Sequence, residues 1–119
     1  MRHLLGALGV EGRVKSPTYA LMEPYCLNGS SGFNSLDGFN AWHFDFYRFN
    51  DPQEFEDAGF HEVFSSRGLK LSEWPEKAAA LLPEADLIVA ISFVADFQTD
   101  CQRSVKFSAQ TALGLTLLP

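Results

Sequence analysis

Long apolar runs are missing from this sequence, as are an excess of positive charge, clustered cysteines and internal repeats. Nowhere in its 119 residues does an apolar run approach the roughly 20 positions that a bilayer-spanning helix requires. Met1-Arg2-His3-Leu4-Leu5-Gly6-Ala7-Leu8 is too short for a signal peptide and leads straight into a polar turn. The expectation is a cytoplasmic protein with no membrane role. A formal net charge of −6 excludes a chain that grips nucleic acid through its own phosphate contacts, so any role near RNA needs a partner with a basic surface. The 2 cysteines, Cys26 and Cys101, are far apart and form no C-x-x-C unit, which speaks for reduced cytosolic thiols. No set of histidines and cysteines has the spacing of zinc ligands. Asn28-Gly29-Ser30 has the glycosylation pattern, but without a secretory signal it reads as a turn.

What is present is an ordinary globular composition, 46% hydrophobic and 20% charged, at a length that suits a single domain over residues 1–119. The 11 Phe, mostly in the first two-thirds, point to aromatic faces on strands and helices. Leu4, Leu5 and Leu8 form a helical stripe with Gly9 as its stop, yet no N-cap precedes it, and it reads as the back half of a longer helix. Pro17 stiffens Ser16-Pro17-Thr18 and holds two hydroxyls in place. A strand is expected at residues 19–23, ended by Pro24, and residues 28–40 read as a long exposed connection.

The clearest helix start is Asp51-Pro52-Gln53-Glu54, with an N-cap acid, a proline at the first helical position and a D-x-x-E capping pattern. One helix should continue from it to Gly68, with Phe55, Phe60, Val63 and Phe64 on its apolar face. Gly59 inside that helix implies close packing against a strand. Residues 69–74 read as a strand, 75–82 as a helix, and 86–93 as a strand apolar enough to be central. Residues 104–107 form a last strand and 109–118 a short helix. Alternation of strand and helix after Trp42 argues for an α/β layered fold with a mixed, partly parallel sheet.

Chemistry concentrates around Trp42-His43-Phe44-Asp45-Phe46-Tyr47-Arg48. Read as a strand, it puts His43, Asp45 and Tyr47 on one face and Trp42, Phe44, Phe46 and Arg48 on the other. An acid among aromatics in a buried strand is unfavourable unless it binds a cation or is hydrogen-bonded. Asp45 is therefore either a site residue or a structural acid satisfied by a neighbour. Ser16-Pro17-Thr18, Asp45 and Glu73-Trp74-Pro75 all fall at strand ends or in the loops beside them, where open α/β sheets bind ligands. Two carboxylates, a fixed hydroxyl and Arg48 at such an edge suit a phosphate and a hydrated magnesium ion, which takes one or two carboxylates and keeps several waters.

These residues carry a resemblance. Val14-Lys15-Ser16-Pro17-Thr18-Tyr19, Glu23-Pro24-Tyr25, His43-Phe44-Asp45-Phe46-Tyr47-Arg48, Asp51-Pro52 with Glu54-Phe55 and Gly59, and Glu73-Trp74-Pro75-Glu76 occur in order. Together they resemble the bacterial tRNA threonylcarbamoyladenosine biosynthesis ATPase family (TsaE), over residues 2–83. The resemblance implies a P-loop NTPase fold with ATP and Mg2+ as cofactors. It also implies two protein partners, the threonylcarbamoyl transferase and its paralogue (TsaD and TsaB), in modifying adenosine 37 of certain tRNAs, with tRNA met only indirectly. By the same resemblance Thr18, with Ser16 beside it, is a switch-like hydroxyl near the γ-phosphate and metal. Asp45 holds magnesium through water, Glu73 is a second catalytic acid near the metal or attacking water, and Trp74 sits beside the nucleotide pocket.

One departure stands out. No stretch of the chain reads G-x-x-x-x-G-K-[ST], whose backbone N–H groups cradle phosphates while Lys and Ser/Thr reach phosphate and metal. In the family it resembles, that motif lies just upstream of the helix whose tail looks like residues 2–8. The expectation is a chain that starts inside that helix, without the P-loop and its central strand. Such a chain should neither bind ATP well nor hydrolyse it alone, because positioning of the phosphates supplies most of the catalysis. It should also expose apolar edges. Two other readings stay open: a non-enzymatic module that keeps the partner surface, and an unrelated metal-dependent hydrolase using His43, Asp45, Glu73 and His61.

Overall fold

In the computed structural model, which describes residues 1–10, 12–15, 17, 21–27, 39–94 and 102–119, the chain divides into two units, Met1–Leu82 and Pro83–Pro119. The first unit runs α1 (Arg2–Ala7), β1 (Met22–Leu27), β2 (Phe39–Asp45), α2 (Pro52–Asp57), α3 (Phe60–Ser65), β3 (Leu69–Glu73) and a 3-10 turn (Pro75–Ala78). Its sheet has the order β1-β2-β3, with β2 antiparallel to β1 and parallel to β3. This is the expected α/β architecture with a partly parallel sheet. Parallel neighbours cannot be joined by a tight turn, and α2 and α3 form the crossover between β2 and β3.

Aromatic residues build the core of this unit. Phe44, Phe46, Phe49, Phe55, Phe60 and Ala78 are buried together, with Trp42, Val63, Phe64, Leu81 and Leu82 packed against them. Phe60 meets Phe44 and Phe55 edge to face, with ring centroids 5.2 and 5.3 Å apart, the arrangement that ring quadrupoles favour. Leu5, Val14, Ala41 and His43 are also buried, outside that cluster.

Local chemistry set several boundaries differently from the sequence pattern. β1 passes through Pro24 instead of stopping there. It is the edge strand of its sheet, where a missing N–H is tolerated on the unpaired side. β2 begins at Phe39 and ends at Asp45, so Tyr47 and Arg48 lie in a turn and do not continue the strand's alternation. Asp45 ends it: its Oδ1 accepts from Tyr47 N at 3.0 Å, an Asx turn that replaces the next ladder bond.

The single helix expected after Asp51 is two. The capping signal holds, since Asp51 accepts from Gln53 N at 2.9 Å and Pro52 opens α2. The break comes at Gly59, which adopts φ 68° and ψ 27°. A Cβ added there would meet no atom within 4 Å, so the glycine serves the left-handed backbone and not close packing against a strand. The helix expected over residues 75–82 is only the 3-10 turn.

The second unit consists of β4 (Leu87–Phe93), β5 (Arg103–Ala109) and α4 (Ala112–Thr116). Among the described residues β4 pairs only with β5, antiparallel, and there it is not the central strand its composition suggested. Its apolar character signals a strand that calls for cover on its faces; it does not name the strand it pairs with. Ile91 and Phe93 are 63% and 81% exposed. Thr111 caps α4 by accepting from Gly114 N at 3.1 Å, and its hydroxyl donates to Asp86 Oδ1 at 2.5 Å. Of the connection expected over residues 28–40, the last two positions belong to β2, and residues 28–38 lie outside the described residues, as do most of the polar turn before β5 and Cys101. Among the described residues no helix is long and apolar enough to cross a membrane.

Candidate functional site

Asp45 is the last residue of β2 and Glu73 the last residue of β3, and the parallel register makes them direct partners. Two acids far apart in sequence thus stand side by side at the carboxyl ends of neighbouring strands. Main-chain bonds hold the strand ends there: Asp45 N donates to Leu21 O and Phe46 N to Glu73 O, both at 3.0 Å.

Each carboxylate has one oxygen tied to a protein donor. Tyr47 N meets Asp45 Oδ1, and His43 Nε2 lies 2.8 Å from Glu73 Oε1. Neither of these two contacts uses Asp45 Oδ2 or Glu73 Oε2. This fits a hydrated magnesium ion, a hard cation that accepts one or two carboxylate oxygens and retains most of its water. Asp45 and Glu73 are the residues that would hold it. The side chain of Glu73 is 40% exposed, so one edge of the pair is open to solvent.

Trp74 follows Glu73 directly and has φ 55°, the one positive value at a non-glycine residue among the described positions. Its ring lies 5.1 Å from that of Tyr47, tilted by 56°, and both rings are about half exposed. The turn that ends β2 and the strained residue that follows β3 therefore set an open aromatic pair next in sequence to the two acids. Strained backbone is concentrated at functional sites because surrounding structure has to maintain it.

Ser16 and Thr18 lie outside the described residues, so their relation to the two acids is undescribed. Tyr25 on β1 donates its hydroxyl to Lys15 O at 3.0 Å. Burial, reinforced by the charge of Glu23, raises the Tyr25 phenol above its ordinary range against the opposing pull of that hydrogen bond. Lys70, on β3, is lowered by burial; its ammonium lies 5.0 Å from the centroid of the Trp42 ring.

Two relations escaped sequence reasoning. His43 shares a face with Asp45, as alternation predicts, but its partner is Glu73, and that diagonal contact depends on the parallel register. Tyr47 leaves the strand and meets Trp74 instead of lining up with His43 and Asp45. His61 is engaged with Glu56 at 2.9 Å on an exposed surface. Among the described residues no three His, Cys, Asp or Glu side chains gather as a metal-binding group, which leaves the hydrolase reading without a ligand set.

The family model for threonylcarbamoyl adenosine biosynthesis protein TsaE matches residues 1–105. The chain is 38% identical over 117 residues to tRNA threonylcarbamoyladenosine biosynthesis protein TsaE of Haemophilus influenzae, a match covering 98% of this chain and 65% of that protein. It is 30% identical over 89 residues to the protein of the same description from Treponema pallidum, covering 75% of this chain and 58% of that protein. The chain thus spans less than two-thirds of the length of these relatives.

Proposed function

Because the chain belongs to the TsaE family, we propose that it serves tRNA threonylcarbamoyladenosine formation as an ATP- and magnesium-binding subunit working with the threonylcarbamoyl transferase and its paralogue. The observation that carries this reading is the pairing of Asp45 with Glu73 at the carboxyl ends of two parallel strands. Asp45 would hold magnesium through water, and Glu73 would face the metal or the attacking water. Thr18, with Ser16, would add a hydroxyl on the phosphate side, and Trp74 would flank the nucleotide. When bound, magnesium would offset the negative charge of the phosphates.

A second reading concerns these residues alone. The 119 residues contain no G-x-x-x-x-G-K-[ST], so the usual backbone cradle for the phosphates is not among them. A module that docks on the transferase pair without ATP chemistry is the alternative for these residues taken by themselves. Under either reading the purified chain alone releases no phosphate from ATP above background. Magnesium-dependent turnover by the isolated chain would contradict this.

Copurification separates the two. A tagged chain is mixed with the transferase and its paralogue, with and without Mg-ATP. Retention that requires Mg-ATP supports the nucleotide-binding subunit, retention in both conditions supports the docking module, and retention in neither overturns both.

A further inference from the structure

We propose that His43 is a positioning residue for Glu73, holding its carboxylate in one orientation beside Asp45. The inference rests on the reading above, in which Glu73 acts at the metal or attacking water, and it concerns a residue that the reading leaves without a role.

His43 is 2% exposed, in a strand whose neighbouring buried residues are Ala41 and Phe44. Imidazole is a poor choice for such a position if packing is the only requirement, because a buried polar ring is unfavourable unless it is hydrogen-bonded. Of its two nitrogens, Nε2 lies 2.8 Å from Glu73 Oε1, while Nδ1 is buried with no partner among the described residues. A buried polar group with a purely structural task ordinarily has its hydrogen bonds completed. Among the described residues the ring has a single polar contact, and that contact is an acid at the open end of β3.

The chemistry of the pair assigns the proton. An ionised carboxylate only accepts, so Nε2 carries the hydrogen and donates it. Nδ1 is then a bare lone pair, an acceptor without a donor among the described residues. The geometry acts on Glu73 more than on His43. The ring is enclosed in the sheet, whereas the Glu73 side chain is 40% exposed and would otherwise sample several rotamers in water. Register completes the arrangement: His43 lies opposite Leu71 and Asp45 opposite Glu73, so the ring reaches diagonally to the acid while Asp45 stands directly across from it. Partners that orient a metal-facing carboxylate in this way commonly change metal affinity by roughly 10- to 100-fold when removed.

The test uses the isotope-labelled chain at one fixed pH, observing the His43 ring nitrogens and the Glu73 carboxyl carbon by NMR. Long-range proton–nitrogen correlations should show Nε2 protonated and Nδ1 not. His43→Phe, which keeps bulk but removes the donor, should shift the Glu73 carboxyl signal. His43→Gln, whose side-chain amide reaches to a similar depth, should restore it. Should His43→Phe fail to fold, Glu73→Ala carries the test, because removing the acceptor should move the His43 Nε2 resonance. A proton on Nδ1, a Glu73 signal unmoved in folded His43→Phe, or a ring signal unmoved in Glu73→Ala would overturn the proposal.

A separate arm adds Mn2+ and follows broadening of the Asp45 and Glu73 signals. Roughly tenfold weaker binding in His43→Phe, recovered in His43→Gln, is the expected result. Equal Mn2+ affinity in wild type and folded His43→Phe counts against the positioning role. If Mn2+ approaches neither acid in the unsubstituted chain, the metal-binding reading fails, and the ring and carboxyl signals still decide whether His43 positions Glu73.

Discussion

Trp74 holds φ 55° and ψ 46° between Glu73 and Pro75, a left-handed conformation that disfavours any residue with a Cβ by about 1–2 kcal/mol. Its ring contact with Tyr47 offsets part of that. Trp74→Gly and Trp74→Val both remove the ring, so the difference between them isolates the backbone. Urea denaturation should show Trp74→Gly within about 1 kcal/mol of wild type and Trp74→Val lower than Trp74→Gly by roughly 1–2 kcal/mol. Equal stability would mean that the turn relaxes out of this conformation. At this scale part of the candidate site was legible: an acid inside an aromatic strand and a Glu-Trp-Pro at a strand end are unusual enough to be noticed. The His43–Glu73 pair was not legible, because local pattern tells which face a side chain occupies and not which strand lies beside it.

Among elements, the boundaries were decided by single side chains and single backbone angles. Asp51 and Pro52 start α2 as their chemistry dictates. Gly59 then separates α2 from α3, although the apolar spacing of Phe55, Phe60, Val63 and Phe64 is compatible with one continuous helix. The two possibilities make opposite predictions. In a continuous helix Gly59→Ala would stabilise by up to about 1 kcal/mol; with the observed φ of 68° it should destabilise by roughly 1–2 kcal/mol. Asp51→Ala should lose about 1 kcal/mol with the cap bond to Gln53 N. Chemical denaturation of the two variants beside wild type measures both. Pro24 gives the same lesson in a strand, since whether proline stops it depends on which side lacks a neighbour.

At the scale of the whole chain, the pattern of apolar residues and their exposure point in different directions in the two units. In Met1–Leu82 the phenylalanines meet one another and are buried. In Pro83–Pro119 the register sets Val89 opposite Phe107 and Ile91 opposite Val105, with all four side chains between 43% and 63% exposed. Contiguous apolar surface on a strand pair promotes association. The purified chain should therefore elute above its monomer size and bind a hydrophobic dye, and Ile91→Lys with Val105→Lys should reduce both. A monodisperse wild-type monomer with no dye binding would contradict this.

By itself the sequence determined the α/β class, the start of α2, the aromatic core and the placing of both acids at strand ends. Each of these is written in residue types and short-range spacing, where helix and strand periods and capping chemistry operate. Tertiary structure decided the rest: that β2 and β3 run parallel with Asp45 against Glu73, that His43 turns its one donor toward Glu73, that Tyr47 leaves the strand to meet Trp74, and that β4 pairs with β5. The physical reason is common to all four. Strand pairing is made by backbone groups that every residue carries, so its direction, register and partner are settled by how whole elements pack.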